Sequence, residues 1–330
     1  MVLALKDKWI WDFWLAPSGA DWHIYFLQAD KSLGDPELRH RNVTQAHAVS
    51  RDLVDWTHKG TCLTPSKGPA FDDWTTWTGS VLQGPDGLWH LFYTGTPHAE
   101  DGMKQRIGHA TSSDMHAWVR VGDGLALDIS GPDYEEYTPG HWHDRAMRDP
   151  FVMRDPDGPG WLMFFTARVP RIAEPNAGGS IGFATSPDLY HWTIQPPVFR
   201  GGMFGQMEVP QVFEHGGRWY CLFCTSGHQW SRAYRGINPQ APVTGTHYLV
   251  ADHPRGPWRV APGKFLVGHE PCRLYAGKIV PRDGKLSFMG FVHTTKTRDF
   301  VGEVSDPIPV RVGGDGLLSV EDADIDRFGG

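Results

Sequence analysis

The sequence predicts an all-β fold, a five-bladed β-propeller around a central pocket. Two phrases recur along the chain in register, helical periodicity is weak throughout, and glycine (39) and proline (26) are plentiful without low complexity. Self-similarity at a spacing of tens of residues marks repeat architectures. Turn formers between short apolar runs mark strands. The first phrase, rich in aromatic and branched residues as strands are, reads "DWHIYFLQ", "GLWHLFYTG", "GWLMFFTAR" and "RWYCLFCTS". Its leading positions are Trp22, Trp89, Trp161 and Trp219, and a fifth copy, "GKLSFMGFVH", has Leu286 in that place. These positions lie 67, 72, 58 and 67 residues apart, room for about four strands each, the content of a propeller blade. The second phrase follows each of the first four: "HAVSRDLVDW", "HATSSDMHAW", "FATSPDLYHW" and the degenerate "YLVADHPRGPW", all ending in tryptophan.

The blades in order fill residues 1–330 as one domain. The last closes with help from the N-terminal segment. The tail "GGDGLLSVEDADIDRFGG" adds an outer strand and then frays. Ahead of each leading position, by 10, 9, 12, 11 and 11 residues, stand Asp12, Ser80, Asp149, Glu208 and Tyr275. That offset is the innermost strand, beside the channel, so three carboxylates converge on one axis. Asp12 sits in "WIWDFW" among Trp9, Trp11 and Trp14. A carboxylate is costly to bury unless it is paired or used. Flat aromatic faces beside carboxylates suit a sugar, and two carboxylates flanking a glycosidic bond can cleave it. The transition state is oxocarbenium-like, so a third carboxylate lowers its energy.

The bulk numbers exclude other classes. The net charge is -7 with no basic run, which speaks against a nucleic-acid partner. No stretch is long enough to span a bilayer as a helix, and "MVLALKDKWIW" lacks the pattern of a secretory leader. The expectation is a cytoplasmic protein with Cys62, Cys221, Cys224 and Cys272 as reduced thiols and Cys221 and Cys224 packed in a strand. His141 and His143 in "HWHD" could share a strand face as metal ligands, but a pocket wall ahead of Arg148 is the preferred reading. No cofactor and no metal is expected. The sequence leaves the oligomeric state open.

The motifs carry a resemblance. "WIWDFW", "RDP" (148–150), "MEVP" (207–210), "WTGS" (77–80) and "IYFLQ" (24–28) resemble, in order, the motifs of the β-fructosidase superfamily, glycoside hydrolase families 32 and 68, which are five-bladed propellers. Phe13 and Trp14 stand where one family has Pro-Asn, and Val209 where the families have Cys or Arg. Family 32 normally adds a C-terminal β-sandwich, for which this chain has no residues left. The resemblance implies a retaining glycoside hydrolase acting on β-fructofuranosides such as sucrose or short fructo-oligosaccharides, with fructosyl transfer as a variant outcome. It implies Asp12 as nucleophile, Glu208 as acid/base, and Asp149 with Arg148 binding ring hydroxyls. Trp11, Gln28, Trp77, Ser80 and Tyr275 would bind substrate. Two other readings remain: an inverting furanosidase or xylosidase of the family 43 type, and a non-catalytic propeller that binds a sugar or a protein.

Overall fold

The computed structural model describes residues 2–282 and 284–328. Five antiparallel sheets follow one another along the chain. The first contains β1 (Lys8–Ser18), β2 (Asp21–Asp30), β3 (Thr44–Ser50) and β4 (Thr57–Leu63). The second contains β5 (Thr75–Gln83), β6 (Trp89–Thr96), β7 (Arg106–Ser112) and β8 (Val119–Leu127). The third contains β9 (Met147–Arg154), β10 (Trp161–Arg168), β11 (Gly179–Ser186) and β12 (Thr193–Phe199). In the fourth, β13 (Glu208–His215), β14 (Arg218–Thr225) and β15 (Thr244–Ala251) are joined by β16 (Arg259–Val260) and β17 (Val267–His269), which both pair with β15. In the fifth, β18 (Leu274–Arg282) pairs with β19 (Lys285–Thr294), which carries β20 (Phe300–Val304) and β21 (Ile308–Val312), and β22 (Leu318–Ser319) follows outside. Strands β1, β5, β9, β13 and β18 neighbour one another in a closed ring. This is the five-bladed propeller that the two phrases foretell.

Each phrase has a physical reason. The first is the second strand of its blade, buried on both faces: β10, "WLMFFTAR", is buried at every residue. The second phrase is the third strand plus a hydrogen-bonded turn. Ser50 Oγ accepts from the Leu53 N–H at 2.9 Å, and Asp52 Oδ1 accepts from the Val54 and Asp55 N–H groups at 2.9 and 2.8 Å. Ser186 and Asp188 do the same for Leu189, Tyr190 and His191. The turn forces left-handed backbone at Leu53, Met115 and Leu189, with φ of 68, 64 and 72°. The side-chain hydrogen bonds and the burial of these three residues offset a conformation that non-glycine residues otherwise avoid.

The innermost strands share a feature that the repeats do not reveal. Each breaks register with its neighbour at the same height: between Trp11 and Phe13, opposite Thr94 and Tyr93, opposite Phe164 and Thr166, between Glu208 and Gln211, and between Tyr275 and Lys278. A β-bulge bends its strand and re-aims a side chain. Here the bulges turn Asp12, Thr78 and Asp149 out of the ladder, and Asp149, Val209 and Ala276 have φ of 58, 54 and 50°. Threonines on the second strands hold the bulges across blades. Thr94 Oγ1 accepts from the Asp149 N–H at 2.8 Å, and Thr166 Oγ1 shares its one proton between Asp149 Oδ2 at 2.9 Å and the Met207 carbonyl at 3.1 Å. Gly79 is required beside one bulge, because a Cβ there would lie 2.0 Å from the Phe92 carbonyl oxygen.

The ring closes as the sequence suggests. Leu3 and Val304 exchange both backbone hydrogen bonds at 2.9 Å, joining the N-terminal segment to the fifth blade. The tail departs from the reading that it frays. After β22 it forms a short helix, α1 (Asp322–Ile325), and Ile325 and Phe328 are buried against the fifth blade. Arg273 donates to the Phe328 carbonyl. The spaced apolar residues Ile325 and Phe328 gain more by burial than the acidic segment gains by hydration. Phe328→Ala should therefore lower the unfolding free energy in urea by about 3 kcal/mol; an unchanged midpoint would mean that the tail does not dock.

Candidate active site

Two cavities, of about 520 and 430 Å³, open where the bulges meet, and they share Trp11, Asp12, His40 and Glu208. The larger adds Leu27, Arg41, Trp77, Thr78, Gln105, Asp144, Arg148, Asp149 and Gln206 to its walls. The smaller adds Arg39, Glu270, Cys272, Tyr275, His293 and Arg298. Asp12 and Glu208 thus stand on the boundary between two spaces, each suited to one side of a bond.

The three carboxylates are held differently. Asp12 is half-buried, and its Oδ2 accepts from Thr78 Oγ1 at 3.0 Å. Asp149 is buried, and its Oδ2 accepts from Thr166 Oγ1 and, at 3.1 Å, from the Val209 N–H. Glu208 is gripped at both oxygens: Oε1 accepts from Arg148 Nη2 at 2.8 Å, and Oε2 accepts from the Tyr275 hydroxyl. Arg148 is the common cation. It also donates to Gln206 Oε1 at 2.5 Å and to Gln105 Oε1 at 3.1 Å, and its Nε lies 3.5 Å from Asp149 Oδ2.

Protonation follows from burial and mutual charge. Burial pushes Asp12 up to about 7, and the charges of Asp149 and Glu208 add to this; the Thr78 hydrogen bond and Lys278 pull the other way. Burial raises Asp149 as well, against the Arg148 charge. For Arg148, burial alone would lower the pKa, but Glu208, Asp144 and Asp149 outweigh it and keep the guanidinium charged. Burial lowers His40 to about 3, helped by Arg39, Arg41 and His293, so a neutral imidazole lines both cavities at neutral pH.

The structure gathers Trp11, Asp12, Trp77, Arg148, Asp149, Glu208 and Tyr275 at these cavities, as the sequence reading requires. It does not bring Gln28 or Ser80 there. Along β2, Leu27 faces the cavity, so Gln28, its neighbour, faces away; its Nε2 donates to Thr44 and Thr61 at 3.2 and 2.9 Å. Ser80 lies past the bulge on β5, and its Oγ accepts from the Val152 N–H at 3.1 Å, joining two blades. Thr78 is the residue of that blade that reaches Asp12. Of the seven tryptophans outside the repeat phrases, Trp11 and Trp77 line the cavities. Trp14 stacks on Tyr25, Trp142 lies under the Arg168 guanidinium, and Trp230 is core. His141 and His143 fall in a loop rather than on a strand, near Glu135 and Asp144, and His143 is part of the cavity wall. No group of three metal-ligating side chains occurs among the described residues. Cys221 and Cys224 are buried free thiols on β14.

Sequence reasoning missed His40, Arg41, Gln105, Gln206 and Lys278. Gln206 offered a signal, since it stands two residues before Glu208. The others come from connecting segments or from the far side of a bulge.

The comparisons with known proteins agree with this geometry. A family model described as the glycosyl hydrolases family 32 N-terminal domain matches residues 17–255, a span that includes Arg148, Asp149 and Glu208 but begins after Asp12. A levanase of Bacillus sp. (strain L7) is 26% identical over 240 residues, covering 66% of this chain and 23% of the relative. A probable sucrose-6-phosphate hydrolase of Psychromonas ingrahamii is 32% identical over 176 residues, covering 53% of this chain and 29% of the relative. This chain therefore matches only about a quarter of the length of these curated relatives. Among solved structures, an inulosucrase from Halalkalicoccus jeotgali bound to kestose superposes with a TM-score of 0.78 at 21% identity, covering 96% of this chain and 87% of that one. At that identity the likeness shows the fold.

The raised Asp12 has a consequence for stability. Its folded pKa lies above the ordinary value of 3.8, so the native state holds a proton that the unfolded state releases. Its contribution is present below about pH 4 and is lost as pH rises toward 7. Asp12→Asn cannot suffer this loss. In urea titrations the variant should gain stability relative to the parent between pH 4 and 7 and keep that gain at pH 8. A loss of stability at pH 8 would mark Asp12 as a structural residue.

Proposed function

The chain belongs to glycosyl hydrolase family 32, and from that premise we propose that it is a retaining hydrolase of β-fructofuranosides, acting on sucrose or short fructo-oligosaccharides. The observation that carries this reading is the placement of Asp12 and Glu208 on the wall common to two cavities. The fructosyl ring occupies the larger cavity, with Asp149, Arg148 and Trp77 against it, and the leaving group occupies the smaller, beside Tyr275, Glu270 and Arg298. Asp12 attacks the anomeric carbon while Glu208 gives a proton to the departing oxygen. A covalent fructosyl–enzyme ester results, and the bond to the leaving group breaks. Glu208, now ionised, takes a proton from the incoming water, which displaces Asp12. Asp149 and Arg148 hold ring hydroxyls, and the negative charge of Asp149 favours the oxocarbenium-like transition state. A sugar hydroxyl in the smaller cavity would replace water and give fructosyl transfer by the same steps.

The names of the relatives support the substrate class: they include a levanase and a probable sucrose-6-phosphate hydrolase. Incubation with sucrose, inulin- and levan-type oligosaccharides and arabinosides, followed by product analysis, tests it. Release of free fructose is expected from at least one fructoside. Turnover of arabinosides alone would favour the family 43 reading, and binding without turnover would favour the non-catalytic one.

Three further outcomes follow from the assigned roles. With methanol as acceptor, NMR should show methyl β-fructofuranoside, the product of retention; the α-anomer would sink the nucleophile role of Asp12. The kcat/KM profile should fall below about pH 7, because Asp12 must be ionised to attack and this ratio reports the free enzyme. Glu208→Gln should lose activity most on poor leaving groups and least on activated aryl fructosides, whereas an equal loss on both would count against proton donation.

A further inference from the structure

Lys278 lies on β18, three residues beyond Tyr275, and is 5% exposed. It lines neither cavity. A buried ammonium is costly unless groups of opposite charge or polar groups face it. The ionisable groups whose charges couple to Lys278 lie on three other blades: Cys224 and Cys221 on β14, Asp149 on β9 and Asp12 on β1. Its Nζ donates to the carbonyl of Val209 at 3.0 Å.

Val209 is an unusual residue to hold. It follows Glu208 directly, and it is a β-branched residue at φ 54°, which such residues avoid. Strained backbone of this kind persists only when its surroundings over-determine it. Here the two ends of the residue are tied to different groups. The Val209 N–H donates to Asp149 Oδ2, and the Val209 carbonyl accepts from Lys278. One residue thus links Lys278 to Asp149 by hydrogen bonds and to Glu208 by covalent bonds.

We propose that Lys278 is a positioning residue of the site: it pins the strained Val209 segment that sets Glu208 against Asp149, and its ammonium charge acts on the Asp12 carboxylate. The proposal rests on the assignment of Asp12 as nucleophile. The remaining groups around Asp12 are Asp149, Glu208, Thr78 and, more remotely, Arg39. Lys278 lowers the Asp12 pKa against the two carboxylates, and Arg39 is coupled to Asp12 as well. Burial lowers Lys278 itself to about 8, with Cys224, Asp149, Asp12 and Cys221 opposing the fall.

The test compares Lys278→Met with Lys278→Arg on a fructoside that the parent enzyme cleaves. Removing the cation should move the acid limb of kcat/KM up by about one pH unit, the lower end of what an opposite charge confers. It should lower kcat by roughly tenfold to a hundredfold through misplacement of Glu208, with KM changed much less. Lys278→Arg should keep the limb within a few tenths of a unit of the parent. A lower kcat with an unmoved limb in the methionine variant would overturn the proposal, because packing alone would then explain the loss.

Should Lys278→Met not fold, the reciprocal measurement uses folded protein. Coupling between two sites is mutual. The ε-carbon resonance of Lys278, followed with pH in the parent and in Asp12→Asn, should show a lower midpoint in the variant. Equal midpoints would overturn the charge coupling. This titration needs no turnover, so a chain that cleaves no fructoside would refute the functional reading and leave the Lys278 result to be read separately.

Discussion

Three carboxylates meet at the centre of this ring, and their mutual repulsion is the constraint around which the site is arranged. Asp12, Asp149 and Glu208 come from three blades, and two cations answer them from opposite sides. Arg148 lies in the cavity wall and binds Glu208, with Asp149 at longer range. Lys278 lies outside the cavities, and its charge is coupled to those of Asp149 and Asp12. Neither cation touches Asp12 by a direct hydrogen bond; Thr78 does. Burial, with the charges of Asp149 and Glu208 adding to it, holds the Asp12 proton up to about neutral pH.

A repeating fold has to break its own symmetry to make such a site. The bulges do this at one height in every blade, but each blade uses its bulge differently. In the first and third the displaced residue is an acid. In the second it is Thr78, which serves the first. In the fourth and fifth the functional residues, Glu208 and Tyr275, come just before the bulge, and Val209 and Ala276 take the left-handed backbone. The threonines that lock the bulges sit on neighbouring strands, so each acid is positioned by at least two blades.

This arrangement explains what could be read from the sequence and what could not. The blade count was legible because burial on both faces of the second strand, and the Ser-x-Asp turn after the third, leave a pattern that repeats. Asp12, Asp149 and Glu208 were legible because charge in an apolar inner strand is costly and therefore informative. Ser80 was misplaced because it stands 9 residues before Trp89, on the unbroken part of the ladder; the bulged residue of that strand is Thr78, 11 before Trp89. Gln28 was misplaced because the resemblance of "IYFLQ" does not fix which face the last residue takes; the alternation starting from Leu27 does. Lys278 carried no motif at all. Its importance comes from contacts with Val209, 69 positions away, which no local pattern encodes. The tail was read from its acidic composition, and two well-spaced apolar side chains outweighed it.

The seam of the ring lies next to the nucleophile's strand. Leu3 pairs with Val304, Trp9 meets the Phe300 ring edge-on at 6.4 Å, and the Arg39 guanidinium lies 4.1 Å above the same ring. The other blade junctions are covalently continuous; this one is held by contacts alone. Opening energies within a native protein are uneven, and a ring with one non-covalent joint concentrates its weakness there. Thermal inactivation would then begin as a latch failure: β1 swings from β20 and carries Asp12 away from Glu208 while the other four blades remain folded. Residual secondary structure would overstate the surviving activity, and bracing the Leu3–Val304 joint would prolong working life more than tightening the core of any blade.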